Sequence, residues 1–447
     1  MDCLERCKIN INLLNQNLLA AISQRTGIIR RLVEIPFHHD DPSVYSYAAE
    51  ISDTSKYSLH KCSTRSGGAG LTHEQAIGSA VGECLERYCC NFYDHNSLRF
   101  GSFEEFSEQA INPSNWALFS KRQYESEGFP FPEFDSKTKI SWVEAKSLVS
   151  NEIKLVPASI TYLPYYPVKG ETIFSQSIST GLCCRASEVE ATLYGIYECI
   201  ERDAFTIYWL NALNVPRIIP EEIPDKKLRN TFFERFARPG IQYFIWDITL
   251  DIPIPSFFCV AVGASNIGQL FCVGSASHLD ARQALLKSLI ESAQGRPYLR
   301  YEHNRDPDWY CKDDFSNINS FEDHAQVYTK RPELVSYLNF CTTIGSNPGI
   351  MRHNESTGSA ENDLNRTLLI LKQRGFDVLV VNLTTPDVRE LGLHVVRVLI
   401  PGLQPLHGDH RYPFLGGKRL YQIPFQIGFR SKPLTEDEIY CLPHPFP

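Results

Sequence analysis

The sequence predicts a mixed α/β chain, α+β in the way it mixes its elements, folded as a single domain with interleaved lobes, mixed sheets and long helices. Three observations predict this. Short runs rich in β-branched and aromatic residues, such as "GIIRRLVEI", "YFIWDITL" and "PSFFCVAVG", read as strands. Long stretches with apolar residues at helical spacing lie between them without the strict alternation of a doubly wound sheet. The 447 residues, 43% hydrophobic and 21% charged, are enough to bury a large core.

Taken in order, residues 8–35 read as a helix followed by the strand "GIIRRLVEI", and residues 36–60 as strand and turn. A Gly-rich turn, "SGGAGL", precedes a long helix from Thr72 to about Phe92. Residues 100–180 read as short strands and turns with Pro clusters, and a second long helix runs from Ser187 to about Leu213. Two strands, "YFIWDITL" and "PSFFCVAVG", precede a third helix that starts near Asp280. Residues 300–360, polar and rich in Asn and Asp, read as a long excursion or lid. The chain closes with the helix "DLNRTLLILKQRG", the strands "DVLVVNL" and "HVVRVLIPG", and a Pro-rich tail. The division expected is residues 1–60 as an N-terminal helix/strand segment and residues 61–447 as the main domain, with the tail at 441–447.

Charge and cysteine usage exclude several classes. With 44 Lys and Arg against 52 Asp and Glu, the net charge is −8 and no basic stripe is visible, so nucleic acid is not an expected partner. No apolar run reaches the ~18 residues of a membrane span, and no secretory signal is read at the N-terminus, so a cytoplasmic protein is expected. The 14 cysteines include no C-x-x-C; Cys3/Cys7 are the nearest spacing, with only the distant His407 and His410 to complete a zinc site. Reduced, buried thiols are the expectation. His407 and His410 themselves read as loop or packing residues rather than as bases.

The chemistry is carried by the three long helices. Each starts at a capping residue with Glu or Gln three positions later: Thr72/Gln75, Ser187/Glu190 and Asp280/Gln283. Glu83, Glu198 and Glu291 each lie 11 residues beyond those caps. Helical spacing then puts Ser79, Glu83, Glu86 and Arg87 on one stripe, and Tyr194, Glu198, Glu201 and Arg202 on another. Lys287, Glu291 and Gln294 form the third, with Arg296 just beyond. A single Glu–Arg pair of this kind is most simply a solvated ion pair. Three at equal spacing, set in apolar sequence, predict convergence on hard cations, because buried carboxylates need cationic company. Mg²⁺ takes oxygen ligands and is bound together with phosphates, which Arg87, Arg202, Lys287 and Arg296 would face. The site is thus expected to hold a nucleotide without a P-loop, since no G-x-x-x-x-G-K-[ST] is present.

These residues resemble the YcaO superfamily of ATP-dependent enzymes that modify peptide backbones. Its S-x-x-x-E-x-x-E-R is similar to Ser79, Glu83, Glu86 and Arg87; its second acidic helix to the run with Glu190, Glu198, Glu201 and Arg202; its third to "KSLIESAQGR". "VVNLTTPDVRELGLHVVRVLIPGLQPLH" resembles the family's late region, so that the likeness spans roughly residues 60 to 447. Two positions depart from the pattern: Lys287 stands for the usual Arg, and Ala69 in "SGGAG" for a frequent Lys. The resemblance implies a YcaO-type domain whose long helices line an ATP site. Mg²⁺ would be held by Glu83, Glu86, Glu198, Glu201 and Glu291, and ATP by Ser79, Arg87, Glu190, Arg202, Lys287, Gln294 and Arg296.

The closing "LPHPFP" places Pro443, Pro445 and Pro447 at alternate positions, spacing that favours a stiff polyproline II rod over a disordered tail. In the azoline-forming branch, the resemblance implies that such a tail enters the active site, with the Pro447 α-carboxylate as the catalytic proton acceptor. The implied activity is a cyclodehydratase that turns Cys, and by extension Ser or Thr, of a ribosomal precursor peptide into thiazoline or oxazoline in peptide antibiotic or bacteriocin biosynthesis. Thioamide or macroamidine formation, or a silent peptide-binding scaffold, are the alternatives. Only about 60 residues precede the matching region, so a separate leader-binding, E1-like partner subunit is expected, with a flavin dehydrogenase and a homodimer within a complex as further partners.

Overall fold

The computed structural model describes residues 18, 20–56, 58, 62, 65–338 and 345–447. Cys3, Cys7 and most of the helix expected within residues 8–35 lie outside them. The strands are β1 (Ile29–Ile35), β2 (Tyr45–Ile51), β3 (Arg65–Gly70), β4 (Arg99–Gly101), β5 (Ile140–Ser147), β6 (Ile153–Pro157) and β7 (Leu182–Arg185). They continue with β8 (Ile241–Asp247), β9 (Ser256–Ser265), β10 (Gly268–Ser277), β11 (Leu379–Asn382) and β12 (His394–Leu399). The long helices are α1 (His73–Asn91), α2 (Glu188–Leu210) and α3 (Ala281–Arg305); α4 (Phe321–Lys330), α5 (Ala360–Gln373) and α6 (Lys418–Gln426) are shorter.

Three antiparallel sheets result. The first is β1-β2-β3 and the third β10-β9-β8; the second runs β4-β5-β11-β12-β7 with β6 also paired to β5. Each sheet ends on the strand that feeds a long helix: β3 leads to α1, β7 to α2 and β10 to α3. Each helix lies on its own sheet and also touches the next one. α1 packs on β2 and β3 and against β7; α2 on β7 and β12 and against β10; α3 on β9 and β10 and against β3. The three strand–helix units therefore close into a ring, and the helices' inward faces meet at its centre.

The caps act where the sequence puts them. Thr72 accepts a hydrogen bond from the Gln75 amide and Ser187 from the Glu190 amide, while Asp280 accepts from Arg282, one position earlier than expected. The reciprocal half of the capping box differs, since the Gln75 side chain accepts from Leu71 N at 3.0 Å.

The Gly-rich stretch expected as a turn is strand β3. Its glycines let α1 lie directly on it: a Cβ at Gly68 would sit 2.1 Å from Ala80 N and 2.5 Å from Ala76 O. Gly274 serves the third unit in the same way, with Ser288 O only 2.3 Å from a built Cβ. Two further elements escaped the sequence reading. β10, "GQLFCVGSAS", lacks the β-branched run that announces a strand, and α6 contains Pro424. Within the polar 300–360 excursion, α3 continues to Arg305, and α4 packs on β10 with Val327 and Tyr328 buried. The ten described buried cysteines are all free, as expected of reduced thiols, and Cys441 is exposed.

Candidate active site

The inward faces carry the acids. Glu83, Glu198 and Glu291 stand 11 residues beyond their caps, and Glu86, Glu201 and Gln294 stand 14 beyond, about one turn further on the same face. The 14-residue positions reach across to the strand of the next unit. Glu86 Oε1 accepts from Cys184 N of β7 at 2.7 Å, and Glu201 Oε1 accepts from the Ser275 hydroxyl of β10. Gln294 Nε2 would be 2.8 Å from a Cβ on Gly67 of β3, so this glycine leaves room for the amide. Glu83 instead turns to its own strand, accepting from Gly67 N at 3.2 Å. Glu291 does likewise, with its carboxylate taking a hydrogen bond from the Ser275 backbone.

Five carboxylates thereby lie close enough for their charges to interact. Burial, and then the Glu198 and Glu83 charges, push the Glu86 carboxyl up to about 8 against the opposing pull of Arg185. Burial raises Glu198, with Arg202 opposing, and raises Glu291, with Lys287 opposing. The cations are arranged around them: Arg87 lies 3.6 Å from Glu83, Arg202 3.1 Å from Glu201, and Lys287 3.5 Å from Glu291. Burial lowers the Lys287 ammonium, but Glu291, Glu201 and Glu198 together hold it above its ordinary value.

Sequence reasoning missed two arginines. Arg185, at the end of β7, lies over the Tyr194 ring at 4.5 Å and is among the charges that Glu86 feels. Arg397 of β12 is wholly buried, donating to the carbonyls of Ile160 and Ile178, and it is among the charges that Glu198 feels. A charge inside the apolar "HVVRVL" was the available signal for Arg397; Arg185 sits two residues before a cap and offers none.

The other expected site residues are distributed as follows. Ser79 is exposed one turn before Glu83, and Glu190 stays in the first turn of α2 beside its cap Ser187. Arg296 does not join the carboxylates. Five residues beyond Glu291 it has turned about 140° around α3, where it is fully buried and paired with Asp41 at 2.5 Å, alongside Arg300. Ala69 packs with the apolar cluster under α3 that includes Leu285 and Leu289.

The tail is ordered by its contacts. Leu442 O accepts from the Trp209 indole at 3.0 Å and Pro443 O from the Tyr328 hydroxyl at 2.7 Å. Residues 443–446 are buried. The Phe446 ring packs edge-on to Phe205 and lies 4.8 Å from the Arg202 guanidinium carbon, which brings the tail to the edge of the carboxylate cluster, with Pro447 exposed beyond it. His407 and His410 sit elsewhere, in a buried group with His324 and His444.

The donor set suits a hard divalent cation with an anionic ligand. It offers carboxylate oxygens that burial and mutual repulsion leave under-compensated. It also offers spare donors, since Nε and Nη1 of Arg397 are buried without a hydrogen-bond acceptor. No described helix is long and apolar enough to cross a membrane.

Comparison with known proteins agrees with this chemistry. The family described as YcaO cyclodehydratase, ATP- and Mg²⁺-binding, matches residues 67–404. An uncharacterized protein of Methanothermobacter thermautotrophicus is 26% identical over 348 residues, 76% of this chain and 82% of that protein. A heterocyclase solved in complex with substrate and cofactor superposes with a TM-score of 0.78 at 25% identity, over 96% of this chain and 56% of that one. The chain thus spans about half the length of that heterocyclase. A chain of the E. coli microcin synthetase McbBCD complex shares the fold with a TM-score of 0.55 at 18% identity, over 83% of this chain and 87% of that one.

Proposed function

Because the chain belongs to the YcaO family of ATP- and Mg²⁺-binding cyclodehydratases, we propose that it forms azolines in a ribosomally made precursor peptide, closing Cys, or Ser and Thr, onto the preceding backbone carbonyl. The observation that carries this reading is the meeting of five carboxylates and their cations at the centre of three helices. Likeness to a heterocyclase solved with substrate and cofactor supports the same choice among the family's chemistries.

In this reading Glu83, Glu86, Glu198, Glu201 and Glu291 hold Mg²⁺, directly or through water. Arg87, Arg202, Lys287 and Gln294 orient phosphate oxygens, with Ser79 at the entrance. Arg185 and Arg397 are added to this set by their places among the charges that Glu86 and Glu198 feel. ATP held there with Mg²⁺ would supply a phosphoryl group, the chemistry that makes the former carbonyl oxygen a good leaving group. The protein contributes placement and charge neutralisation. The side chain of the substrate residue must lose a proton as it attacks, and the α-carboxylate of Pro447, carried just beyond Phe446 and Arg202, is the proposed acceptor. The separate leader-binding partner, and a flavin dehydrogenase downstream, remain part of the proposal; the microcin synthetase chain that shares this fold belongs to a multisubunit complex.

The test is mass spectrometry of a candidate precursor incubated with the chain, its partner subunit and Mg²⁺–ATP. One water should be lost per ring formed, and Glu83→Gln or Glu198→Gln should abolish that loss while the protein stays folded. Near-normal turnover in both variants would remove the shared-site reading.

A further inference from the structure

Away from the carboxylates, four imidazoles are packed into the protein interior. His324 comes from α4, His407 and His410 from the loop after β12, and His444 from the tail. His324, His407 and His444 are all at least 97% buried, and each offers a ring nitrogen within 4.8 Å of the others'. The His324 and His444 rings stack at 3.7 Å, and His407 stands edge-on to both.

The hydrogen bonds of these rings are one-sided. His324 Nδ1 meets the His444 carbonyl at 2.8 Å, and His444 Nε2 meets the His407 carbonyl at 2.7 Å. A carbonyl only accepts, so each of these nitrogens carries the proton and the opposite nitrogen carries the lone pair. That lone pair has no partner on His324 Nε2, and on His444 Nδ1 it meets only a long 3.3 Å contact from Phe446 N. His407 Nδ1 and His410 Nδ1 are also buried without a partner. Packing several unpartnered ring nitrogens side by side in a dry interior is costly. A ring whose far N–H is fixed by a backbone carbonyl is the usual preparation of a metal-ligating histidine.

We propose that His324, His407 and His444 form a structural site for a zinc-class divalent cation, with His410 beside it, which fastens the tail to α4 and to the loop after β12. A tetrahedral centre with Zn–N of 2.0–2.1 Å would bring the ligand nitrogens to about 3.3 Å from one another, so the imidazoles close inward on binding. Burial and their mutual proximity hold His324 and His444 well below the ordinary imidazole value and His407 at about 3. The rings are therefore neutral and need release no proton to bind at neutral pH. His444 stands directly between Pro443 and Pro445 and two residues before Phe446, so the clamp fixes the part of the tail that reaches Arg202. The proposal stands whether or not the chain forms azolines, because its readout is metal content and ligand identity.

The experiment is zinc titration of the chelator-stripped full chain with Mg²⁺ in excess, followed by X-ray absorption at the zinc edge. One zinc per chain is expected, with a nitrogen shell at about 2.0–2.1 Å and no sulfur shell near 2.3 Å. His324→Gln and His407→Gln should each weaken zinc binding by about 100-fold or more, beyond the effect of losing an outer-shell partner. Failure of the wild-type chain to retain zinc, a sulfur shell, or unchanged binding in folded variants would overturn the site. If both variants unfold, the wild-type stoichiometry and shell decide the question alone.

Discussion

Glu86 concentrates the residue-scale physics of the site. Its carboxyl is raised from 4.5 to about 8 by burial and by Glu198, so the folded chain retains a proton that the unfolded chain releases. The stability this group contributes is complete below about pH 4.5 and is lost as the pH rises through about 8. In the absence of Mg²⁺ and ATP, the thermal midpoint should therefore fall between about pH 5 and about pH 8. Glu86→Gln, an isostere of the protonated form, should flatten that slope; an unchanged slope would show that Glu86 does not titrate in this window. At this scale the acids were legible because helical spacing and a shared distance from a cap are written in the sequence. Arg397 was not, because its partners, the carbonyls of Ile160 and Ile178, are distant in sequence. Arg397→Met leaves those two carbonyls unpaired and should cost about 2–6 kcal/mol in denaturant unfolding, at about 1–3 kcal/mol per buried unsatisfied group. Arg296 shows the limit of reading a stripe by proximity: it lies near Gln294 in sequence but on the side of α3 that Asp41 occupies.

At the scale of elements, the strand-to-helix unit repeats three times, and a glycine under the helix sets its height in two of them. Gly68→Ala places a methyl 2.1 Å from the Ala80 backbone nitrogen, which no rotamer change relieves. The variant should lose about 3 kcal/mol or more and weaken Mg²⁺–ATP binding, because α1 carries Glu83 and Glu86 away from their partners. A stable variant with normal nucleotide affinity would show that the helix has slack. The long helices were legible from their caps and apolar periodicity. β3 and β10 were not, because "SGGAG" and "GQLFCVGSAS" spend strand positions on small residues that accommodate a helix, and small residues locally signal a turn.

At the scale of the whole molecule, the ring of three units turns separate acidic stripes into one site, and the tail closes on its edge. The ring could not be read from sequence, since it depends on each helix meeting the following unit's strand. Equal cap-to-acid spacing was its one visible trace. Phe446 joins the tail to both the core and Arg202, packing on Phe205 while facing the guanidinium. Phe446→Ala should cost about 3–5 kcal/mol in denaturant unfolding and lower peptide turnover more than ATP affinity. Equal losses in both would assign the tail to stability alone.

Whether the three helices jointly hold Mg²⁺–ATP is measured by calorimetric titration. Mg²⁺–ATP should bind the wild-type chain with one site. Glu86→Gln, Glu198→Gln and Glu291→Gln, one from each helix, should each weaken binding by about 100-fold, roughly 2.7 kcal/mol, with cooperative unfolding retained. If any one of the three folded variants binds Mg²⁺–ATP as the wild type does, its helix is not part of the site and the three helices do not hold the nucleotide jointly.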